Sequence, residues 1–391
     1  MSRTVLHDAA FADGSSDSLR LGVSVAIRDG KIEAIGANDE IDQHGATVID
    51  AGGAVIVPGM VDCHSHLVLQ GGSHWIERGD DPPAVLRQVA RENAKRLVQA
   101  GILWARDVGA PSADGRPISL DVREELDGKA GNPHIRVAGT WIAKTGYPDM
   151  WVGTEDDGLT AAALHQLDLG TNFVKIYMDA PGGVKESPFS VAALRAATDA
   201  VHARGAKVAC HSTHLDGARV AAEAGVDSIE HGMEIDDDVA RTMQRNGVTH
   251  VPTLAIFSSW QSFGRTTTVE RFTGATAPAL VAKRKEGAYA AVAATRRAGV
   301  RIAVGSDFGG GSVRAGHLAW DVEHLVEAGL TPREALHAVT RAGGELLGEP
   351  HAGRIEPGMP ADLVLVHGDP LSDARALWRV WAVFQAGTRV A

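Results

Sequence analysis

The sequence predicts an α/β protein, a (β/α)8 TIM-type barrel with a small composite β domain formed by both chain termini. Three observations carry this expectation. Between residues 59 and 349, eight short apolar runs alternate with helix-period segments, the texture of parallel βα units. Residues 1–58 and 350–391 are instead rich in short alternating strands. Neither end is large enough to bury a core of its own, so the two are expected to pair beside the barrel. The 391 residues leave room for a barrel of about 250 residues and one smaller unit.

The N-terminal part reads as a small sheet. Gly22-Val23-Ser24-Val25-Ala26-Ile27-Arg28 and Lys31-Ile32-Glu33-Ala34-Ile35-Gly36 flank Asp29-Gly30, a strong hairpin signal. Further strands fit 46–49 and 54–57. From 59 onward the barrel strands are expected near 60–66, 102–108, 135–143, 173–177, 207–211, 228–231, 249–253 and 301–307. A helix over 82–100 opens with Pro in its first turn and stops at Gly101. Others fit 160–169, 191–204, 218–224, 239–246 and 277–297. The strand texture returns at 361–366 and 379–387.

Composition removes several function classes. The net charge of -11, without a block of Lys or Arg, gives no footprint for nucleic acid or an anionic membrane. Residues 1–20 hold no apolar leader segment, and no apolar run reaches the roughly 18 residues a membrane span needs. The expected location is cytoplasmic. Cys63 and Cys210 are the only cysteines, so there is neither a disulfide framework nor a four-cysteine zinc site. Strand parity turns both thiols away from the neighbouring His64 and His211, towards an outer helical layer.

The chemistry gathers at the strand ends. In Asp62-Cys63-His64-Ser65-His66 the i, i+2 spacing places both imidazoles on one face of a strand. Near the strand ends also stand Lys175 (fourth), His211 (fifth), His231 (sixth) and Asp307 (eighth). A single strand-end His or Asp is ordinarily a half-exposed loop residue; six converging on one rim are not. Imidazole and carboxylate suit zinc, and four His with one Asp could serve two ions. Parity with Phe173 and Tyr177 points Lys175 into the barrel mouth. A buried lysine among cations prefers to be neutral, and a neutral amine can take up carbon dioxide as a carbamate whose oxygens would bridge two metals. The alternatives are a lysine paired with a carboxylate such as Asp62, or a cation that binds substrate.

These motifs carry a resemblance. Pro58-Gly59-Met60-Val61-Asp62-Cys63-His64-Ser65-His66, Val174-Lys175-Ile176, Cys210-His211, Glu230-His231-Gly232 and Gly305-Ser306-Asp307 resemble the amidohydrolase superfamily, in particular its imidazolonepropionase-related and prolidase-like dipeptidase branch. The terminal segments, including Gly353-Arg354-Ile355-Glu356-Pro357-Gly358, are similar to that family's composite β domain, so the match spans essentially the whole chain. The resemblance implies that His64, His66 and Asp307 hold the more buried metal and His211 and His231 the other. Lys175 would be carboxylated as the bridge between two Zn2+, or other divalent ions. Imidazolonepropionase itself is similar but uses one metal and lacks the bridging lysine, which draws this sequence towards the two-metal branch. The loop Lys144-Thr145-Gly146-Tyr147-Pro148 lacks the Gly-Gly-His run common in the dipeptidase-like members. Self-association into a homo-oligomer is also implied.

The mechanism expected of such a centre is hydrolysis of an amide bond by a metal-bridging hydroxide, with Asp307 moving the proton. A small molecule is the expected substrate: an N-acyl amino acid, a dipeptide or a related amide. The alternatives are a cyclic amide or lactone hydrolase, a ring deaminase of the same fold, or a non-catalytic interaction protein, which would have lost some ligands. Trp141, Trp151, Phe257, Trp260 and Phe263 follow the third and seventh strands and suggest an aromatic group in the substrate. Tyr177, His214 and Tyr147 are further candidate contacts, with His74, Lys144, Arg265 and His317 as weaker ones. Loops 144–151 and 257–265 are candidate pocket walls, and Gly309-Gly310-Gly311 is either a lid or a loop with unusual dihedrals.

Overall fold

The computed structural model describes residues 3–148 and 151–391. Val55–Pro58, buried along its whole length, is the strand where the two ends of the chain meet. It pairs parallel with Arg3–Phe11 and antiparallel with Leu363–Val366. The sheet extends on one side through Arg20–Arg28 and Lys31–Ala37, and on the other through Val380–Gln385 and Thr388–Arg389. Thr47–Asp50 adds parallel to Arg3–Phe11. At the expected hairpin Asp29 has φ 49° and Gly30 φ 81°, two successive left-handed residues between Arg28 and Lys31, as a type I′ turn needs. Leu6, Val25, Ile56, Leu363, Leu365 and Phe384 form the core of this sheet.

Only Gly59 separates Val55–Pro58 from the first barrel strand, Met60–Ser65. A Cβ at Gly59 would lie 2.7 Å from Leu103 Cδ1, so the passage needs glycine. Met60–Ser65 pairs parallel with Ile102–Asp107, and that strand with His134–Val137. Phe173–Tyr177, Lys207–Ser212, Ser228–His231 and Thr249–Val251 continue as one parallel ladder. The expected third strand divides around Gly139 (φ 81°): beyond His134–Val137 a second piece, Ile142–Lys144, pairs with Val152–Thr154 and with Ile176.

Residues 301–307 close the barrel without forming a regular ladder. They hydrogen-bond to His250 on one side (His250 N to Arg301 O, 2.9 Å) and to the first strand on the other (Cys63 N to Val304 O, 2.9 Å; Asp307 N to His64 O, 2.7 Å). Isolated bridges join Ile302 to His250 and Phe308 to Ser65. The architecture is a (β/α)8 barrel with a terminal β-sheet.

The helices cover the barrel. Pro83–Gln99 buries Leu86, Val89, Ala90, Ala94 and Leu97, an i, i+3, i+4 stripe. Leu159–Asp168, Val191–Ala203, Leu215–Ala224, Asp237–Asn246 and Ala277–Ala298 follow the expected order. Cys63 faces this layer: a Cβ on Gly343, in the helix Arg341–Leu347, would lie 3.1 Å from its Sγ. Among the described residues no helix is long and apolar enough to cross a membrane.

Candidate metal centre

His64 and His66, at the end of the first strand, meet Asp307 at the end of the closing segment. One ligand atom from each lies within 4.8 Å of the others, and all three residues are buried. Both histidine Nε2 atoms stand 3.4 Å from Asp307 Oδ1. The partners of the other ring nitrogens fix which lone pair is free. His66 Nδ1 donates to the Gly109 carbonyl at 2.8 Å, and His64 Nδ1 to Glu230 Oε2 at 2.6 Å, which leaves Nε2 of each free to serve as a ligand atom.

The rim is built with little room to spare. A Cβ at Gly305 would fall 2.4 Å from His64 Cβ, and one at Gly310 would fall 2.3 Å from His66 Cδ2 and 2.6 Å from Asp307 Oδ1. The run 309–311 therefore answers to close approach, with Gly309 alone of the three in the left-handed region. Asp307, His231 and Thr253 are non-glycine residues with φ of 51°, 67° and 50°, a conformation that costs energy and tends to gather at functional sites.

The other expected ligands adjoin this group. The His231 ring centroid lies 4.9 Å from that of His64 and 4.5 Å from that of His211. His231 Nδ1 is 2.7 Å from Thr253 Oγ1. His211 Nε2 donates to Asp179 Oδ2 at 3.1 Å, while its Nδ1 is buried without a hydrogen-bond partner. Lys175 is fully buried, and its Nζ is likewise unpartnered. It is not paired with Asp62, which accepts hydrogen bonds from Ser306 N and Oγ and from His64 N.

Burial governs the charges here. It pushes the Lys175 ammonium down to about 8 and the Asp62 carboxyl up to about 6. Burial and the neighbouring imidazoles of His211 and His64 hold His231 well below the usual histidine range. Burial would raise Asp307, but the adjoining imidazoles of His64 and His66 hold it well below the ordinary carboxylate range. Four imidazoles, two of them (His211 and His231) held towards the neutral form by burial, an ionised carboxylate and two orphaned buried nitrogens make a donor set that fits divalent metal of the zinc type.

Several residues escape a reading of the sequence. Glu230 is fully buried; Ser228 Oγ donates to its Oε1 at 2.5 Å, and Arg106 Nη1 approaches the same atom at 3.3 Å. Burial would raise Glu230, but Arg106 and Lys175 hold it well below its ordinary value. The signal available in the sequence was a charged pair, Arg106-Asp107, inside an apolar strand, and the i, i+2 pairing of Ser228 with Glu230. Asp179, which takes His211 Nε2 and Thr213, lies two residues beyond Tyr177.

The substrate-side expectations divide. Tyr177 stacks on His211 with centroids 4.0 Å apart and planes 11° apart. Trp151 meets Tyr177 edge-on at 4.2 Å and stacks between 4.9 and 5.0 Å from Tyr147 and Trp141. Trp141 in turn lies 5.7 Å from His66, so these rings run from one side of the centre to the other. Residues 149 and 150 of the expected loop 144–151 lie outside the described residues.

Trp260 does not join this wall. It sits on the helix Ala255–Phe263 with Trp75 (5.5 Å) and Phe272 (4.8 Å), beside a cleft of about 840 Å³. His214 precedes the helix Leu215–Ala224 and faces Glu234 at 3.7 Å. Lys144 pairs with Glu155, and His317 lies against Trp378.

The likeness to known proteins agrees with this geometry. Residues 55–390 match the Amidohydrolase family. An uncharacterized protein of Mycobacterium tuberculosis is 32% identical over 333 residues, 83% of this chain and 81% of that protein. Imidazolonepropionase of Anaeromyxobacter dehalogenans is 26% identical over 403 residues, 92% and 89% of the two chains. The crystal structure of a putative prolidase from Bifidobacterium longum superposes with a TM-score of 0.83 at 26% identity, covering 100% of this chain and 94% of that one. With its strand-end histidines and closing aspartate placed as they are, the chain belongs to the amidohydrolase family, in the imidazolonepropionase- and prolidase-like branch.

Proposed function

We propose that this hydrolase cleaves an amide bond of a small molecule with two divalent ions, zinc in the first instance. His64, His66 and Asp307 would hold one and His211 and His231 the other, with Lys175 N-carboxylated as the bridge. The observation that carries this reading is the pair of orphaned atoms, Lys175 Nζ and His211 Nδ1. A buried polar atom without a partner costs about 1–3 kcal/mol. A carbamate on the lysine and an ion against the imidazole would satisfy both.

Bound divalent ions supply polarisation of the scissile carbonyl and a lowered pKa for water. The chain's own residues do the rest. Asp307 is the base within reach of the centre; it would take the proton from the attacking water and return it to the leaving nitrogen. Burial and the charge of Asp307 keep the Tyr177 phenol neutral, so its hydroxyl can donate to a carbonyl oxygen. Trp141, Tyr147 and Trp151 offer ring faces and edges to a planar group, which favours an N-acyl amino acid, dipeptide or related amide with an aromatic part. The same reading has the subunits self-associated and cytoplasmic, which sedimentation and cell fractionation would check.

The test combines metal content with a substrate panel. Two ions per chain are expected, with turnover lost on chelation and restored by Zn2+. Aryl-acyl amides are expected to exceed short aliphatic ones by about tenfold or more in kcat/KM, the range one pocket contact supplies. Turnover indifferent to chelation would exclude the metal-dependent reading, and equal use of both acyl types would exclude the aromatic one.

A further inference from the structure

We propose that Glu230 and Asp179 are a matched pair of positioning residues, one for each half of the centre: Glu230 orients His64, and Asp179 orients His211. Each takes one ring nitrogen and leaves the other for an ion. The inference rests on the two-ion reading above and deepens it.

Glu230 has no freedom to turn. Its Oε1 is held by Ser228 Oγ at 2.5 Å and by Arg106 Nη1 at 3.3 Å. Arg106 is itself fixed: Nη2 donates to Ser228 Oγ at 2.9 Å, Nη1 reaches the Cys63 carbonyl at 3.3 Å, and the guanidinium lies 4.6 Å from the Phe173 ring centre. This leaves Oε2 for His64 Nδ1 at 2.6 Å. Asp179 is anchored in a comparable way from the far side. Thr213 donates to it through its backbone N (3.0 Å to Oδ1) and through Oγ1 (2.5 Å to Oδ2), and His211 Nε2 meets Oδ2 at 3.1 Å. Tyr177 stacked on the His211 ring prevents it from turning over.

The two carboxylates select opposite tautomers. A carboxylate accepts, so His64 carries its proton on Nδ1 and offers Nε2, whereas His211 carries its proton on Nε2 and offers Nδ1. His211 Nδ1 is the ring nitrogen the fold leaves buried and unpartnered. A carboxylate needed only for folding would be satisfied by Arg106 and Ser228, or by Thr213. The additional reach to a ligand ring is what the positioning role explains, and loss of such an outer partner typically weakens metal binding 10–100-fold.

The experiment is equilibrium dialysis of the full chain against zinc buffers, with Zn2+ alone as the probe. Asp179→Asn is expected to leave one ion at wild-type affinity and to weaken the other by about 10–100-fold. A His211→Ala background assigns the ions, because it keeps the His64–His66–Asp307 group. There Asp179→Asn is expected to change nothing, and Glu230→Gln to weaken the remaining ion. Glu230→Gln leaves Arg106 unopposed, so the double variant R106Q/E230Q, checked for native circular dichroism, is measured beside it and is expected to lose the same affinity. Equal weakening of both ions by either single variant, or no weakening, would overturn the inference. A wild-type chain that binds one Zn2+ would instead overturn the two-ion reading, and with it the Asp179 half; the Glu230 half then stands or falls on E230Q alone.

Discussion

Asp307 is the residue on which the proposed ligation and proton transfer would converge, with both His64 and His66 at 3.4 Å from one of its oxygens. Asp307→Asn keeps the shape and removes the base. Turnover is expected to fall by about 10²–10⁴-fold, the usual share of general acid–base catalysis, while the melting temperature stays near wild type. Near wild-type turnover in a folded variant would remove Asp307 from the mechanism. Lys175→Ala is expected to lower bound metal from two ions per chain, with partial rescue of turnover by acetate or propionate as substitutes for the carbamate; full activity at two ions per chain would exclude the bridge. The placement of these candidate ligands at strand ends was legible because strand parity and strand-end position are local properties. Glu230 and Asp179 were not, because their roles depend on partners brought close only by barrel closure: Glu230 meets His64 across 166 residues of sequence. The same distance problem applies to Trp260, whose ring neighbours, Trp75 and Phe272, come from other parts of the chain.

At the scale of elements, the glycine run after Asp307 is a spacing device. Gly310→Ala would drive a methyl into His66 Cδ2 and Asp307 Oδ1, at 2.3 and 2.6 Å. Both neighbours are held, His66 by its bond to Gly109 and Asp307 by both histidines, so the loop has to move. Zinc affinity and kcat/KM are expected to drop together by at least about tenfold, the scale on which small misplacements act in a preorganised site. Gly153→Ala, where the nearest atom is an ordinary 3.6 Å away, is the control and is expected to change neither. Equal behaviour of the two variants would mean that the loop yields freely. Helix positions were readable from Pro and Gly punctuation, as at Pro83–Gln99 before Gly101. The closing segment was readable as an apolar run but not as a broken ladder, since that depends on Gly305 passing against His64 and on the left-handed Asp307.

For the molecule as a whole, the terminal sheet and the strand that carries His64 and His66 form one continuous path. Val55–Pro58, gripped between strands from the two ends of the chain, leads through Gly59 directly into Met60–Ser65. The alternating texture of the termini announced their pairing, but which strand would be shared depended on register between segments some 300 residues apart, which no local pattern carries. Phe384 tests what this arrangement does. It is buried in the sheet core opposite Leu363, remote in sequence from every candidate ligand. Phe384→Ala removes a large side chain from a closed core and is expected to cost about 3–5 kcal/mol, a large fraction of the 5–15 kcal/mol that holds a typical domain folded. If the sheet serves only to anchor the strand, the loss appears as a lower melting temperature and a faster thermal inactivation, with kcat unchanged wherever circular dichroism reports the native state. A fall in kcat or in bound zinc well below the transition would show instead that packing in the terminal sheet sets the position of His64 and His66. Thermal unfolding, zinc content and turnover measured on the same preparation separate the two outcomes.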